Sequence, residues 1–379
     1  MRRTSSREFQ VFTKPVGPAC NLDCAYCYYL EKSKLFGEDK ILHMQEEILE
    51  TYIRQHIDAT TEPVITFSWH GGEPMLAGLK FYRKAIALQK QYNSAGRKIV
   101  NGMQTNGMLV NSEWCRFLAE EQFIIGISID GPGNLHDLFR LTKDGKPTFN
   151  RVMRGYDQLV IHGIDPEILC VVNAENVMYP LEVYRFFKQL GAGFMTFIPL
   201  VEKLAYDSTV ASNRSVPAQA FGNFLCSIFD EWVEQDIGKI KVQIFEEALR
   251  TAFKQEHTLC IFKPICGGVP VVEHNGDFFS CDHFVTRENH VGNIGKTSLA
   301  DMLDSRQQKL FGQAKQDTLP RYCMSCEVMD MCDGECPKNR FIKTPDGEPG
   351  LNYLCAGYKK FFNHCRPLAE AVANAFRNK

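Results

Sequence analysis

Three cysteines near the amino terminus, Cys20, Cys24 and Cys27, have the spacing Cys-x3-Cys-x2-Cys. Thiolates this close together bind metal ions or iron–sulfur clusters, which usually take four protein ligands. A zinc ribbon would need paired Cys-x2-Cys knuckles, and this segment does not provide them. The spacing therefore favours a cubane cluster with three irons held by the protein and the fourth iron open to another ligand.

A second group of cysteines occupies the last third of the chain. The sequence holds 15 cysteines, and clustered cysteines in a non-secreted chain of 379 residues more often bind metal or do redox work than form disulfides. Eight of them form this second group: Cys260, Cys266, Cys281, Cys323, Cys326, Cys332, Cys336 and Cys355. The other four stand apart in apolar or amphipathic surroundings, where we expect small buried hydrophobic residues: Cys115, Cys170, Cys226 and Cys365.

The composition excludes several function classes. Lys and Arg together number 43 and Asp and Glu 45, a balance that gives no electrostatic footprint for nucleic acid or an acidic membrane. The basic start MRRTSSREFQ has no apolar core, and no apolar run is long enough to span a bilayer. We therefore expect a cytoplasmic protein that binds neither nucleic acid nor membrane.

Strand and helix patterns alternate six times before the second cysteine group, which predicts an α/β fold with a parallel sheet. The expected strands are the apolar runs at 9–15, 63–69, 98–104, 123–130, 166–172 and 193–201. Helical patterns follow at 79–92, 111–121 (with Asn111 as cap), 150–163, 217–235, 241–255 and 354–378. Asn275-Gly276 predicts a hairpin turn in the Cys-rich region.

Candidate site residues follow successive strands, at the edge where parallel α/β proteins place their chemistry. The Cys20 loop follows the first strand, and the segment from His70 to Pro74 (HGGEP) follows the second. Gln104 begins a QTNG segment after the third strand, Ser128 ends the fourth, and Arg140 lies just beyond.

The cysteine loop followed by Gly-Gly-Glu-Pro resembles the radical S-adenosylmethionine enzymes. The resemblance covers about residues 8–202 and implies a partial (β/α)6 barrel. In that family the open iron binds S-adenosylmethionine, and one electron from the cluster generates a 5′-deoxyadenosyl radical. The resemblance further implies that S-adenosylmethionine is bound by Tyr26, Gly72, Ser128, Arg140 and Val201. Arg154 is an alternative to Arg140 for this role.

The carboxy-terminal cysteines resemble the SPASM extension, which carries two auxiliary [4Fe–4S] clusters and would bring the total to three. The resemblance assigns Cys260, Cys266, Cys281 and Cys336 to one cluster, and Cys323, Cys326, Cys332 and Cys355 to the other. One or two zinc sites are the alternative. The implied domains are a radical S-adenosylmethionine barrel at 1–202, a helical bridge at 203–255, and a SPASM domain with a closing helix at 256–379.

Within the SPASM enzymes the chain is most similar to the anaerobic sulfatase-maturating enzymes, through GGEPMLAG, QTNG, SIDGP and Cys281-Asp282. The resemblance implies oxidation of a Cys or Ser in an unfolded or nascent sulfatase to Cα-formylglycine, with Asp282 as the base and a flavodoxin or ferredoxin as electron donor. His70 stands where some relatives carry Gln, and Gln104 and Tyr29 are weaker candidates for the substrate channel. Two alternatives remain open: a SPASM maturase that forms crosslinks or thioethers in ribosomal peptides, and a non-enzymatic iron–sulfur or zinc scaffold.

Overall fold

The computed structural model describes residues 4–36, 43–205 and 209–377. The chain folds as two compact units, each assembled from three separate stretches. The first comprises Met1–Ile127, Arg140–Pro166 and Gly267–Gly312, and the second comprises Ser128–Phe139, Glu167–Cys266 and Gln313–Lys379. The domain boundaries at 202 and 255 stay a prediction, since these compact units are discontinuous in sequence.

The first unit is built on a mixed sheet. Strands β1 to β4 are parallel neighbours in that order, at Phe12–Thr13, Val64–Trp69, Lys98–Thr105 and Ile124–Ser128. On the other side of β1 lie β8 (Val271–Val272), β9 (Asp277–Phe279) and β10 (His290–Asn293). β8 runs parallel to β1, whereas β9 and β10 each run antiparallel to the preceding strand. The sheet is open rather than closed over the described residues.

The first strand and the hairpin show how local sequence produced this sheet. β1 is shorter than the predicted 9–15, although its hydrogen bonding to the β8 side extends to the Lys14 N–H, which donates to the Val272 carbonyl over 2.9 Å. Gly276 has φ of +85°, as the predicted Asn-Gly turn requires, and the Asn275 side chain accepts from the Asp277 N–H. The hairpin prediction is confirmed, and it delivers Cys281 and Asp282 just beyond β9.

The second unit contains three parallel strands, β5 (Glu167–Val172), β6 (Phe194–Pro199) and β7 (Lys241–Val242). The prediction of a helix that starts at residue 241 is wrong at its first two residues, because these form β7. The Lys241 N–H donates to the Gly193 carbonyl over 2.9 Å, so two residues extend the sheet edge before the helix begins at Gln243. A separate antiparallel pair comprises β11 (Ile342–Lys343) and β12 (Pro349–Leu351).

Six of the described helices lie within three residues, at each end, of the six predicted patterns, and the other helices were not predicted individually. Asn111 caps its helix as expected, because its side chain accepts from the Trp114 N–H over 3.0 Å. In order, α1 to α13 are Glu46–Ala59, Gly78–Tyr92, Ser112–Glu120, Gly133–His136, Phe149–Ile161, Pro180–Gln189, Ala218–Gln235, Gln243–Ala252, Leu299–Leu303, Arg306–Asp317, Arg321–Met324, Met329–Cys332 and Cys355–Arg377. None of the described helices has the length and apolar character needed to cross a lipid bilayer.

Candidate active site

The amino-terminal cysteine loop has backbone and side-chain donors directed at sulfur. The Leu22 N–H donates to Cys20 Sγ over 3.4 Å, and Asn106 Nδ2 lies 3.6 Å from the same atom. Burial raises the pKa of the Cys20 thiol, and the nearby charges of Glu73 and Cys27 raise it further. Donors aimed at a thiolate sulfur are a common device around iron–sulfur clusters, so these residues fit the cluster that the spacing predicts.

Gly72 is a site of close backbone contact between the end of β2 and the cysteine loop. Its N–H donates to the Gly17 carbonyl over 2.9 Å, and a Cβ added at Gly72 would lie 2.0 Å from the Ala19 carbonyl oxygen. Glycine is therefore required here by the packing of the protein itself. The contact between Gly72 and S-adenosylmethionine stays a prediction.

Glu73 is a buried carboxylate that the sequence reasoning did not single out. Its oxygens accept from the Asn106 N–H over 2.8 Å, the Thr105 hydroxyl over 2.8 Å and the Met75 N–H over 3.1 Å. Burial raises its pKa to about 7, against the lowering effect of these donors. Glu73 thus joins the ends of β2 and β3 beside the cysteine loop. The signal in the sequence that could have identified Glu73 was its position between Gly-Gly and Pro at the end of a strand.

Tyr26 and Arg140 are brought together by the fold. Arg140 Nη1 donates to the Tyr26 hydroxyl over 2.8 Å, and the two residues are 8% and 6% exposed. The rival Arg154 lies exposed on α5. The positive charge of Arg140 offsets part of the rise in the pKa of Cys20, so the guanidinium lies near the cluster loop. This geometry supports Arg140 over Arg154 as a cofactor ligand.

The other two predicted cofactor ligands belong to the second unit. Ser128 is the last residue of β4, and Val201 lies two residues beyond the end of β6; both are buried. The neighbouring carboxylate Asp130 has a structural contact, because its Oδ1 accepts from the Val171 N–H over 3.0 Å. The cofactor roles of Ser128 and Val201 stay predictions.

Asp282 is 6% exposed and forms an ion pair with Lys14, whose Nζ lies 2.6 Å from Oδ1. The Tyr28 hydroxyl donates to its other carboxylate oxygen. Burial raises the pKa of Asp282, but the positive charge of Lys14, with further effects of the neighbouring His283 and His70 rings, outweighs it, and the pKa lies well below its ordinary value. Lys14 is a site residue that the sequence analysis did not single out.

The three weaker candidates have distinct surroundings. Tyr29 is buried, its hydroxyl donates to Glu273, and the Lys14 ammonium lies 4.2 Å from its ring centroid. The His70 ring stacks on Phe12 with centroids 4.1 Å apart, and burial together with the Lys14 charge lowers its pKa to about 3. Gln104 lies on β3. His70 is therefore a neutral polar group beside Lys14 and Asp282. A contact between His70 and the substrate stays a prediction.

Four carboxy-terminal cysteines line one recess that is open to solvent. They are the set assigned to the second auxiliary cluster: Cys323, Cys326, Cys332 and Cys355. Burial raises the pKa of the Cys355 thiol to about 11, so a metal centre is needed to favour its thiolate form. Among the described residues, no three His, Cys, Asp or Glu side chains converge on a point that would hold a single metal ion.

The other assigned set is divided between the two units. Cys260 and Cys266 are near neighbours in the second unit, where burial and the charge of Cys266 raise the pKa of Cys260 to about 11. Cys336 is buried in the same unit, and Cys281 belongs to the first. The four scattered cysteines at 115, 170, 226 and 365 are all buried, as predicted.

Comparison with known proteins places this geometry in a family. The Radical SAM superfamily model matches residues 15–187, and the model of an iron-sulfur cluster-binding domain, SPASM, matches residues 266–327. A serine-type anaerobic sulfatase-maturating enzyme of Bacteroides thetaiotaomicron is 43% identical, with 99% of this chain and 93% of that protein covered. The chain belongs to the anaerobic sulfatase-maturating enzymes.

Solved structures agree with this assignment. Native anSMEcpe with bound AdoMet and the Kp18Cys peptide superposes with a TM-score of 0.88 at 30% identity, covering 97% of this chain and 100% of that one. Streptococcus suis SuiB bound to its precursor peptide SuiA gives a TM-score of 0.62 at 16% identity, over 88% of this chain and 73% of that one, a likeness in fold alone.

Membership of the sulfatase-maturating family confirms the predicted class and cofactors. The chain is a radical S-adenosylmethionine oxidoreductase with an α/β radical domain and a SPASM domain, and it uses S-adenosylmethionine and [4Fe–4S] clusters. The donors at Cys20 and the four thiols around one recess fit these groups. The role of each individual ligand stays a prediction.

Proposed function

We propose that this chain oxidises a serine in the active-site motif of a sulfatase to Cα-formylglycine, with Asp282 as the proton acceptor. Relatives named serine-type are 43%, 37% and 36% identical to the chain, whereas those named cysteine-type are 31%, 31% and 29% identical. Oxidation of a serine or a cysteine to the aldehyde is the same type of reaction. The higher identity of this chain to the serine-type relatives supports serine as the preferred residue.

Conversion of a serine CH₂–OH to an aldehyde removes two hydrogens and leaves every other atom in place. When bound, S-adenosylmethionine and the clusters supply the radical that takes one Cβ hydrogen and the acceptor for one electron. The remaining proton leaves from the hydroxyl, and a base of this chain must accept it.

The buried Asp282–Lys14 ion pair carries the proposal. A base must be ionised before it can accept a proton, and the ammonium 2.6 Å away holds the carboxylate in that form. A lowered pKa also means that protonated Asp282 releases its proton readily, which prepares it for the next turnover. Tyr28 fixes the second carboxylate oxygen and so limits rotation of the group.

Two peptides that differ only in Ser or Cys at the modified position test the substrate. The protein, reconstituted without oxygen, is incubated with each peptide, S-adenosylmethionine and dithionite, and formylglycine is followed by mass spectrometry. We expect the higher kcat/KM on the serine peptide. Modification of the cysteine peptide alone would contradict the serine preference, and modification of neither would contradict the function.

Asp282→Asn tests the base. We expect 5′-deoxyadenosine to form while formylglycine falls by a factor on the order of 10²–10⁴. Asp277→Asn, in the same hairpin, is the matched control, because the Asp277 carboxylate bonds to Asn275 and Asn293 and lies outside the Lys14 contact. Normal formylglycine yield from Asp282→Asn with full iron content would show that another group takes the proton.

The partners and location follow as parts of the same proposal. We infer that the substrate is an unfolded or nascent sulfatase segment, since its modified residue must reach a recessed site. A flavodoxin or ferredoxin is the inferred electron donor. The net charge of −2 supports a cytoplasmic enzyme without a nucleic-acid or membrane partner.

A further inference from the structure

Lys315 on α10 is a buried cation beside the loop that carries Cys260. Lys315 is 1% exposed. Its Nζ donates to the carbonyl oxygens of Cys260 over 3.3 Å and Ile261 over 2.7 Å, and also to that of Lys263. Within the described part of the chain, its contacts include no ion pair with a carboxylate. The loop therefore holds an ammonium group in place with dipoles alone.

A buried ammonium group costs several kcal/mol unless nearby anions compensate it, and carbonyl dipoles offset only part of that cost. Burial lowers the pKa of Lys315, and the anions that raise it are Cys266, Glu335 and Cys260. Two of these three are assigned cluster ligands. A [4Fe–4S] cluster with four thiolates carries a net charge of about −2 when oxidised, and so adds negative charge to that of the buried Glu335.

Arg340 repeats this arrangement at a neighbouring position. Among the described residues, its guanidinium donates to backbone carbonyls: to Gly334 over 2.8 Å, Lys315 over 2.5 Å, Asp333 over 2.9 Å and Glu335 over 3.1 Å. These bonds tie the end of α10 to the segment between Cys332 and Cys336. They also leave the positive charge of Arg340 without a carboxylate partner among its described contacts.

Arg340 lies against the segment that joins Cys332 of the second assigned set to Cys336 of the first. Burial lowers the pKa of Arg340, while Cys323, Cys266, Glu335 and Cys332 raise it. Cys266 belongs to the first set, and Cys323 and Cys332 belong to the second. Lys315 thus contacts the loop of one set of ligands, and Arg340 contacts a segment flanked by one ligand of each set.

We propose that Lys315 and Arg340 are fixed cations that raise the reduction potentials of the auxiliary clusters, Lys315 at the Cys260–Cys266 site and Arg340 at both sites. Uptake of one electron makes a cluster more negative by one charge, and a nearby fixed cation stabilises that state. The two residues favour transfer of the substrate's electron to the clusters, with the proton going separately to Asp282. The proposal rests on the cluster cysteines assigned above and is independent of which sulfatase residue is oxidised.

Lys315→Gln removes the charge but keeps an amide that can donate to the same carbonyls. In the fully reconstituted chain we expect unchanged iron content and an equilibrium constant for reduction of one auxiliary cluster that is about tenfold smaller, which is about 59 mV for a one-electron couple. Reduction potentials are read from redox titrations followed by electron paramagnetic resonance. Lys315→Arg should restore the parent potential, and Arg340→Gln should lower the potentials of both clusters.

Lys309→Gln is the matched control, since Lys309 lies exposed on the same helix and its loss should change no potential. Unchanged potentials in a fully iron-loaded Lys315→Gln protein would overturn the proposal. Loss of iron from Lys315→Gln would also overturn it, because the residue would then be needed to assemble the cluster. Peptide oxidation by the parent protein tests the proposed function separately, since the titrations contain no substrate.

Discussion

Lys14→Met isolates the contribution of the ion pair to proton transfer. The two charges lie 2.6 Å apart, with side chains 1% and 8% exposed. At an effective dielectric constant of about 20 their attraction is about 6 kcal/mol, and breaking such buried pairs typically costs about 3–5 kcal/mol. Methionine fills much of the same volume, so the main effect is an uncompensated carboxylate at Asp282.

The variant should make Asp282 a poorer acceptor at neutral pH. With Lys14 gone, burial becomes the dominant effect and raises the pKa of Asp282, so more of it is already protonated. Formylglycine should fall on the order of 10²-fold or more, while 5′-deoxyadenosine continues to form. Because the raised pKa favours the protonated acid, the yield should recover as the pH rises. In the parent protein the stabilising effect of the pair is lost only as the pH falls through the lowered pKa of Asp282.

The assay compares the two products by liquid chromatography and mass spectrometry across a range of pH. Lys84→Met is the matched control, because the ion pair of Lys84 with Glu46 is exposed, at 41% and 61%. Equal falls in both products, with no recovery at higher pH, would refute a proton-transfer role and point to a structural one.

Three further outcomes are expected. Gly72→Ala forces a Cβ to within 2.0 Å of a backbone carbonyl oxygen, so iron content and S-adenosylmethionine affinity, measured by iron assay and calorimetry, should both fall. Replacing Cys323 and Cys355 together by Ala should remove about four of about twelve irons and leave the amino-terminal cluster spectrum intact. Glu247→Gln breaks a 2.8 Å pair with His257 and should cost about 3–5 kcal/mol in urea unfolding. That stabilisation should disappear as pH falls through the lowered pKa of Glu247 and as it rises through the raised pKa of His257.

The features readable in the sequence were those encoded over a few residues. The Cys-x3-Cys-x2-Cys spacing, the apolar runs of the strands and the Asn275-Gly276 turn each specify their own local structure. The short strand at Lys241 was misread, since it forms by pairing with β6, which lies more than 40 residues earlier in the chain. Resemblance to a family then connected these local features to a cofactor and a reaction.

The charged contacts were decided by tertiary structure. Asp282 and Tyr28 lie 254 residues apart in the chain and Arg140 and Tyr26 lie 114 apart, yet each pair shares a hydrogen bond. Lys315 had no distinguishing neighbour in sequence, and only the fold buries it against the Cys260 loop. Spacing and periodicity act through the local backbone, whereas the partner of a buried charge is set by which distant segments pack together and exclude water.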